Sequence, residues 1–172
     1  VAAPTASLHF NSELMEQLSA KGVQQTAITL HVGQGTFLPV EEERVENHNM
    51  HAEQYEVDAA AATAIEAARR EGRRIICAGT TVCRVLESLE GSIAPVSGRT
   101  NLFILPGHCF RWVDALLTNF HTPKSTLLAM LAAFFEQNSS EKGIKGIQRL
   151  YQYAISKEYR FFSYGDASLW LP

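Results

Sequence analysis

No two cysteines of this chain stand at CxxC spacing. Cys77, Cys83 and Cys109 are odd in number and lie among apolar or small residues, which argues against a disulfide framework and a zinc site and fits a reduced, cytosolic setting. Long hydrophobic runs are also lacking. The longest, STLLAMLAAFF over residues 125–135, is about half the ~20 residues that a membrane span needs, and no signal-peptide pattern follows Val1. Positive charge is in deficit: a formal net charge of -3 excludes nucleic-acid binding through bulk basicity, because counterion release needs many clustered Lys and Arg contacts. Any RNA partner has to meet a local basic patch.

What is present suffices for a core. A chain of 172 residues, 46% of them hydrophobic, is in the size range of one compact domain, expected to span residues 1–172. A start at Val1 in place of Met, running straight into VAAPTASLHF, leads us to expect a fragment of a longer product.

Two β-branched apolar runs, residues 26–32 (TAITLHV) and 74–80 (RIICAGT), predict strands that end in small residues. The Ala- and Glu-rich stretch 53–71 between them predicts a helix stopped by Gly72. Thr80 or Thr81 can cap a second helix to about Leu89, residues 90–99 read as a loop, and 101–105 and 114–120 read as further strands. Ser125 is a suitable N-cap for an apolar helix over 126–135, and another helix is expected over 144–157. Strands alternating with helices point to an α/β fold, with a largely parallel sheet or barrel-like core flanked by helices.

Open α/β sheets bind ligands at strand ends, which singles out four segments. In LHVGQGTF, Gly33 and Gly35 permit close backbone approach and Thr36 offers a hydroxyl; a tight turn is the competing reading, since a lone GxG is a weak signal. In CAGTTVCRVLESL, the strand runs through Gly79 into a helix start at Thr80 and Thr81 whose free N–H groups suit a carboxylate or phosphate. Thr80 as a plain cap, with Arg84 and Glu87 as an exposed ion pair, explains it as well. ILPGHCFRWVDALLTNFHTPKST gathers Asp114, Asn119, His121, Lys124, Ser125 and Thr126 around one strand, more polar density than turn chemistry requires. YRFFSYGDASLW carries Arg160, Tyr164 and Asp166 among aromatics, and a terminal edge strand would explain it equally.

Six histidines occur, and HNMHAE places His48, His51 and Glu53 close together. On a helix, His48 and His51 would share a face and with Glu53 could hold a divalent metal for a hydrolase, although HEXXH-type spacing is absent. His9 and His31 fit equally as satisfied core histidines. Arg69, Arg70, Arg73 and Arg74 straddle a helix C-terminus, where positive charge complements the dipole in any case. Lys142, Lys145 and Arg149 form a second basic patch.

Taken in order, AAPTASLHF, TLHVGQGTF, MHAEQYEV, GTTVCRVLES, PGHCF, VDALLTNFHTPKSTLL and YRFFSYGDASL resemble the S-adenosylmethionine:tRNA ribosyltransferase-isomerase family of queuosine synthesis, from Val1 to about Leu169. The resemblance implies a chain lacking that family's N-terminal portion and inserted β-barrel domain. It implies transfer and isomerisation of the ribosyl part of S-adenosylmethionine onto a 7-aminomethyl-7-deazaguanine wobble base of tRNA, giving epoxyqueuosine with release of adenine and methionine. It implies no metal and no cofactor beyond S-adenosylmethionine, a cytoplasmic monomer with no membrane partner, and the tRNA anticodon loop as partner. An unstacked loop base can be turned into a pocket without bulk basicity.

Such a reaction needs a base beside the sulfonium, with Asp166, Asp114, His31 and His121 as candidates. Gly33 and Gly35, with Thr36, would admit adenine; Gly79, Thr80, Thr81 and Asn119 line neighbouring strand ends; Lys124, Ser125 and Thr126 would hold the methionine carboxylate or a tRNA phosphate; Tyr164 would face the sulfonium. The rival reading from another class is a non-catalytic RNA-binding or scaffold fragment.

Overall fold

The computed structural model describes residues 4–33, 42 and 44–172. After a 3₁₀ turn (Thr5–His9), the elements run α1 (Ser12–Ala20), β1 (Thr29–His31), a 3₁₀ turn (Val45–Asn47), β2 (Glu53–Val57), α2 (Ala59–Arg70), β3 (Ile76–Ala78), α3 (Thr80–Ser88), β4 (Val96–Thr100), β5 (Ala115–Asn119), α4 (Thr126–Gln137), α5 (Gly143–Ser156) and β6 (Ala167–Trp170). They build an α/β fold with two three-stranded sheets, ordered β1-β2-β4 and β3-β5-β6. The expected strand direction needs correcting. Only β3 and β5 run parallel among the described strands; β1–β2, β2–β4 and β5–β6 are antiparallel. The connection from β3 through α3 supplies the parallel pair, whereas α4 and α5 together bring the chain back to the end where β5 leaves, so β6 runs antiparallel to it.

Residues 53–57, expected to begin a helix, are a strand. EQYEV buries Glu53, Tyr55 and Val57 and exposes Gln54 and Glu56, the two-residue period of a pleated surface. The helix begins only after Asp58, whose side chain accepts the Ala61 N–H at 2.7 Å as an N-cap. A second correction moves the strand expected over 101–105 to β4, inside the stretch that reads as a loop. Gly98 there lies opposite Tyr55, and a Cβ on it would stand 2.8 Å from the Tyr55 hydroxyl, so the small residue makes room for a ring packed across the pair.

The core joins both sheets through Tyr55, Val57, Val85, Leu86, Leu116 and the face of α4 carrying Leu131 and Phe134. Each fully buried residue of this size stabilises the fold by roughly 1.5–3 kcal/mol. Ser125 caps α4 by accepting the Leu128 N–H at 3.2 Å, as its sequence position leads one to expect. Helix α5 lies so close to α4 that a Cβ on Gly143 would collide with the Ala132 carbonyl, and one on Gly146 with the Phe135 ring. No helix among the described residues is long and apolar enough to cross a membrane.

Candidate functional site

The polar residues of the sheet β3-β5-β6 meet at one edge. Strand β3 leaves into Gly79, β5 ends at Asn119, and antiparallel β6 starts at Ala167 opposite Asn119, so three chain segments reach the same place. Gly79 donates its N–H to the Leu117 carbonyl at 2.8 Å and holds φ 104, a conformation that L side chains rarely adopt. It caps α3 without a side-chain bond. The cap assignment therefore moves from Thr80 to Gly79, and among the described residues no side chain accepts from the first-turn N–H groups of α3 at Thr80 and Thr81. Such a helix start attracts a carboxylate or phosphate.

Asn119 organises the edge although it is only 3% exposed. Its Oδ1 accepts from the Thr5 hydroxyl at 3.1 Å, while Nδ2 lies 3.0 Å from His9 Nε2 and 3.5 Å from the Asp166 carbonyl. That carbonyl can only accept, so Nδ2 donates in this direction and His9 Nε2 is an acceptor too. The His9 proton then sits on Nδ1. His9 and Thr5 come from the first 3₁₀ turn, whose Ala6 Cβ lies 3.8 Å from where a Cβ on Gly79 would be.

Asp166 is clasped by Arg160 through the backbone N–H at 2.7 Å and through Nη2 at 2.7 Å. The Arg160 side-chain bond, then its backbone bond, hold the Asp166 carboxyl below the usual carboxylate range. His121 is turned inward: Nε2 lies 3.0 Å from the Thr118 hydroxyl, and the His121 N–H donates to the Tyr151 hydroxyl at 3.1 Å. Burial pushes the imidazole down to about 4, leaving it neutral near pH 7. Lys124 is exposed at φ 57, followed by Ser125, which serves α4 as its cap, and Thr126, buried at 4% exposure. Tyr164 is 90% exposed in the turn before β6, and Phe162, at φ 69, is tied to the Phe120 carbonyl through its N–H.

Other expected residues fall elsewhere. Asp114 accepts the Ile75 N–H at 2.7 Å just before β5, at the opposite end from Asn119 and about 17 Å away at ~3.3 Å per residue. It is not part of the edge cluster. His31 is exposed on β1, an edge strand of the other sheet, and no hydrogen bond among the described residues links it to Asn119. Gly33 donates to Glu53 Oε1 at 2.9 Å, and Glu53 in turn pairs with Arg84 of α3, which brings the end of β1 against that helix. Gly35 and Thr36 lie outside the described residues.

Arg84 and Glu87 are not an exposed ion pair. Both are buried; Arg84 meets Glu53, and Glu87 accepts three backbone N–H groups. The metal reading loses its third ligand, because the Glu53 carboxylate is held by Arg84 and Gly33; His48 caps a 3₁₀ turn and His51 lies on no helix. No group of three or more His, Cys, Asp or Glu among the described residues is placed to hold a metal ion.

His9 and Thr5 join the site only in three dimensions. Read alone, PTASLHF gives no reason to prefer a functional histidine to a packed one; the signal lies in its pairing with Asn119.

A family model described as "Queuosine biosynthesis protein" matches residues 1–170. The S-adenosylmethionine:tRNA ribosyltransferase-isomerase of Anaeromyxobacter sp. (strain Fw109-5) is 54% identical over 170 residues, covering 98% of this chain and 47% of that protein. The protein of the same name from Methylocella silvestris is 53% identical over 175 residues, covering 100% of this chain and 46% of its own length. A crystal structure of an S-adenosylmethionine tRNA ribosyltransferase from Thermotoga maritima has a TM-score of 0.75 at 40% identity, covering 96% of this chain and 51% of that one. The chain spans about half the length of the curated relatives that it matches.

Proposed function

Because the chain belongs to the queuosine biosynthesis protein family, we propose that it carries part of the catalytic centre of an S-adenosylmethionine:tRNA ribosyltransferase-isomerase. In this reading the ribosyl part of S-adenosylmethionine passes to a 7-aminomethyl-7-deazaguanine wobble base in the tRNA anticodon loop. The sugar is isomerised to give epoxyqueuosine, and adenine and methionine leave. The protein works as a cytoplasmic monomer on these two substrates, without a metal. The observation that carries the reading is the buried Asn119 amide, which gathers His9, Thr5 and the Asp166 segment beside the uncapped start of α3.

Roles follow from that geometry. The sulfonium acidifies the adjoining ribose carbon, and Asp166 is the carboxylate at the edge that can take its proton. Arg160 holds that carboxylate at low basicity, so the bound nucleoside has to displace the guanidinium first. The His9 Nδ1–H, freed by the Asn119 contact at Nε2, is placed as a donor to the departing adenine. Thr80 and Thr81, following Gly79, offer backbone N–H groups to the methionine carboxylate. Gly33 meets adenine, Tyr164 faces the sulfonium, and Lys124, Ser125 and Thr126 meet a tRNA phosphate.

Calorimetric titration with S-adenosylmethionine tests the reading. Saturable binding by the wild-type chain, weakened in Asp166→Asn and His9→Ala, is expected. A second reading, a non-catalytic RNA-binding or scaffold fragment, is favoured by one observation: two surface hollows of the molecule are lined by Met15 with Gln25 and by Arg69 with Asp114, and neither reaches the Asn119 edge. Absence of S-adenosylmethionine binding together with retained RNA binding would support that second reading.

A further inference from the structure

At the end of β3-β5-β6 opposite Asn119, four arginines line a hollow of about 190 Å³ together with Trp112 and Asp114. Arg69 lies in the last turn of α2, Arg73 and Arg74 follow Gly72, and Arg111 arrives separately from the segment before β5. A helix C-terminus carries only about half a negative charge, which one cation satisfies. Four exceed that need, and Arg111 belongs to no helix. Glu71 pairs with Arg73 at 2.8 Å, and Asp114 is occupied by the Ile75 N–H. Arg69 and Arg74 have no ion-pair partner among the described residues. The lining thus sets four arginines against one carboxylate, Asp114, with Glu71 paired to Arg73 beside it, in a chain whose formal net charge is -3.

Three of the four are held in place, Arg73 by Glu71 and by Gln24 Oε1 at 3.0 Å. The Arg69 guanidinium lies 3.9 Å above the Trp112 ring centroid, and Trp112 is itself only 3% exposed. Arg111 is tethered through Nη2 to the carbonyls of Glu87 and Leu89, at 3.2 and 3.3 Å. Stacking fixes the plane of a guanidinium while leaving its edge N–H groups free, the geometry that suits a bidentate phosphate contact. With the ring buried beneath Arg69, Trp112 is no platform for a base. The chemistry on offer is therefore phosphate recognition without base reading.

We infer that this arginine hollow is a backbone-phosphate contact for RNA, separate from the Asn119 edge and placed to hold the substrate while a base is treated there. The inference rests on the RNA-substrate reading above. Its test uses the 172-residue chain and a short fluorescent anticodon stem–loop RNA, with affinity measured across a series of salt concentrations. Arg69→Gln/Arg74→Gln should weaken binding on the order of tenfold and flatten the slope of log K against log salt by about 0.7–0.9 for each phosphate no longer neutralised. Circular dichroism melts check that the double variant is folded, and Arg74→Gln alone, at an exposed position, provides a variant that leaves the Trp112 stack intact.

Unchanged affinity and slope in both variants would overturn the inference, as would a wild-type chain that binds no RNA. Equal competition by a polyglutamate peptide would also overturn it, since the surface would then recognise anionic protein. S-adenosylmethionine titration of the wild-type chain reports separately on the functional reading. Its failure would leave the phosphate contact standing wherever the arginine variants still lose RNA.

Discussion

Glu87 accepts the Trp112 backbone N–H at 2.8 Å while being only 1% exposed, so a carboxylate inside the core fixes the entry to β5. The same carboxylate takes the N–H groups of Arg111 and Val113 at 2.9 and 3.1 Å. Replacement by Ala would strand three donors, two of them on buried residues. Glu87→Ala is expected to cost about 3 kcal/mol or more, read as a lower urea midpoint. Glu87→Gln keeps one acceptor oxygen and should fall between the two.

Asn119→Asp keeps the shape of the side chain and removes its donor. An acceptor would then face both the Asp166 carbonyl and His9 Nε2. S-adenosylmethionine affinity measured by calorimetry should drop on the order of tenfold, whereas Thr5→Ser, which keeps the hydroxyl to Oδ1, should change it little.

His121 predicts a pH dependence of stability. Burial holds its folded pKa at about 4, against 6.5 for the free imidazole. Below pH 6.5 the unfolded chain takes up a proton that the folded chain refuses, so stability falls as pH drops from 6.5 towards 4 and then levels off for this group. The loss is up to roughly 3 kcal/mol. Urea unfolding across that window should show it, and in His121→Gln the slope between pH 6.5 and 4 should shrink by about one proton.

The α4–α5 contact is set by missing side chains. Gly146→Ala would drive a methyl into the Phe135 ring, and Gly143→Ala would drive one into the Ala132 carbonyl. Overpacking of this kind typically costs about 1–3 kcal/mol. The backbone collision should be the worse, because a carbonyl cannot rotate aside as a ring can. Comparison of the two melting temperatures checks the order.

Much of this architecture was legible in local chemistry. Ser125 ahead of an apolar run marked the start of α4, and Gly79 between RIICA and TTVCRV marked a strand-to-helix turn. The misreadings have physical causes. MHAEQYEV carries helix-favouring Ala and Glu, but Glu53 is a buried partner of Arg84, and its inward position makes the alternating pattern visible only after the ion pair is known. Residues 90–99 looked like a loop because Gly98 is a poor strand former; its place opposite Tyr55 compensates. The site was half readable. Asn119 stood out by the polar density of its segment and Asp166 only as one polar residue among the aromatics of YRFFSYGDASLW, whereas His9 did not, since no pattern within PTASLHF foretells a neighbour on β5. Asp114 looked like part of the same cluster because it is close in sequence to Asn119, yet a strand carries its two ends to opposite sides of the sheet.

The clasp at Asn119 ties the chain's opening turn to its closing strand, joining residues 114 and 47 positions apart in sequence. A nascent polypeptide leaving the ribosome can wind α2 and α4 early, but it cannot complete this clasp until the segment before β6 has emerged. A product truncated before β6 would therefore keep its helices and lack the clasp that orders Asn119.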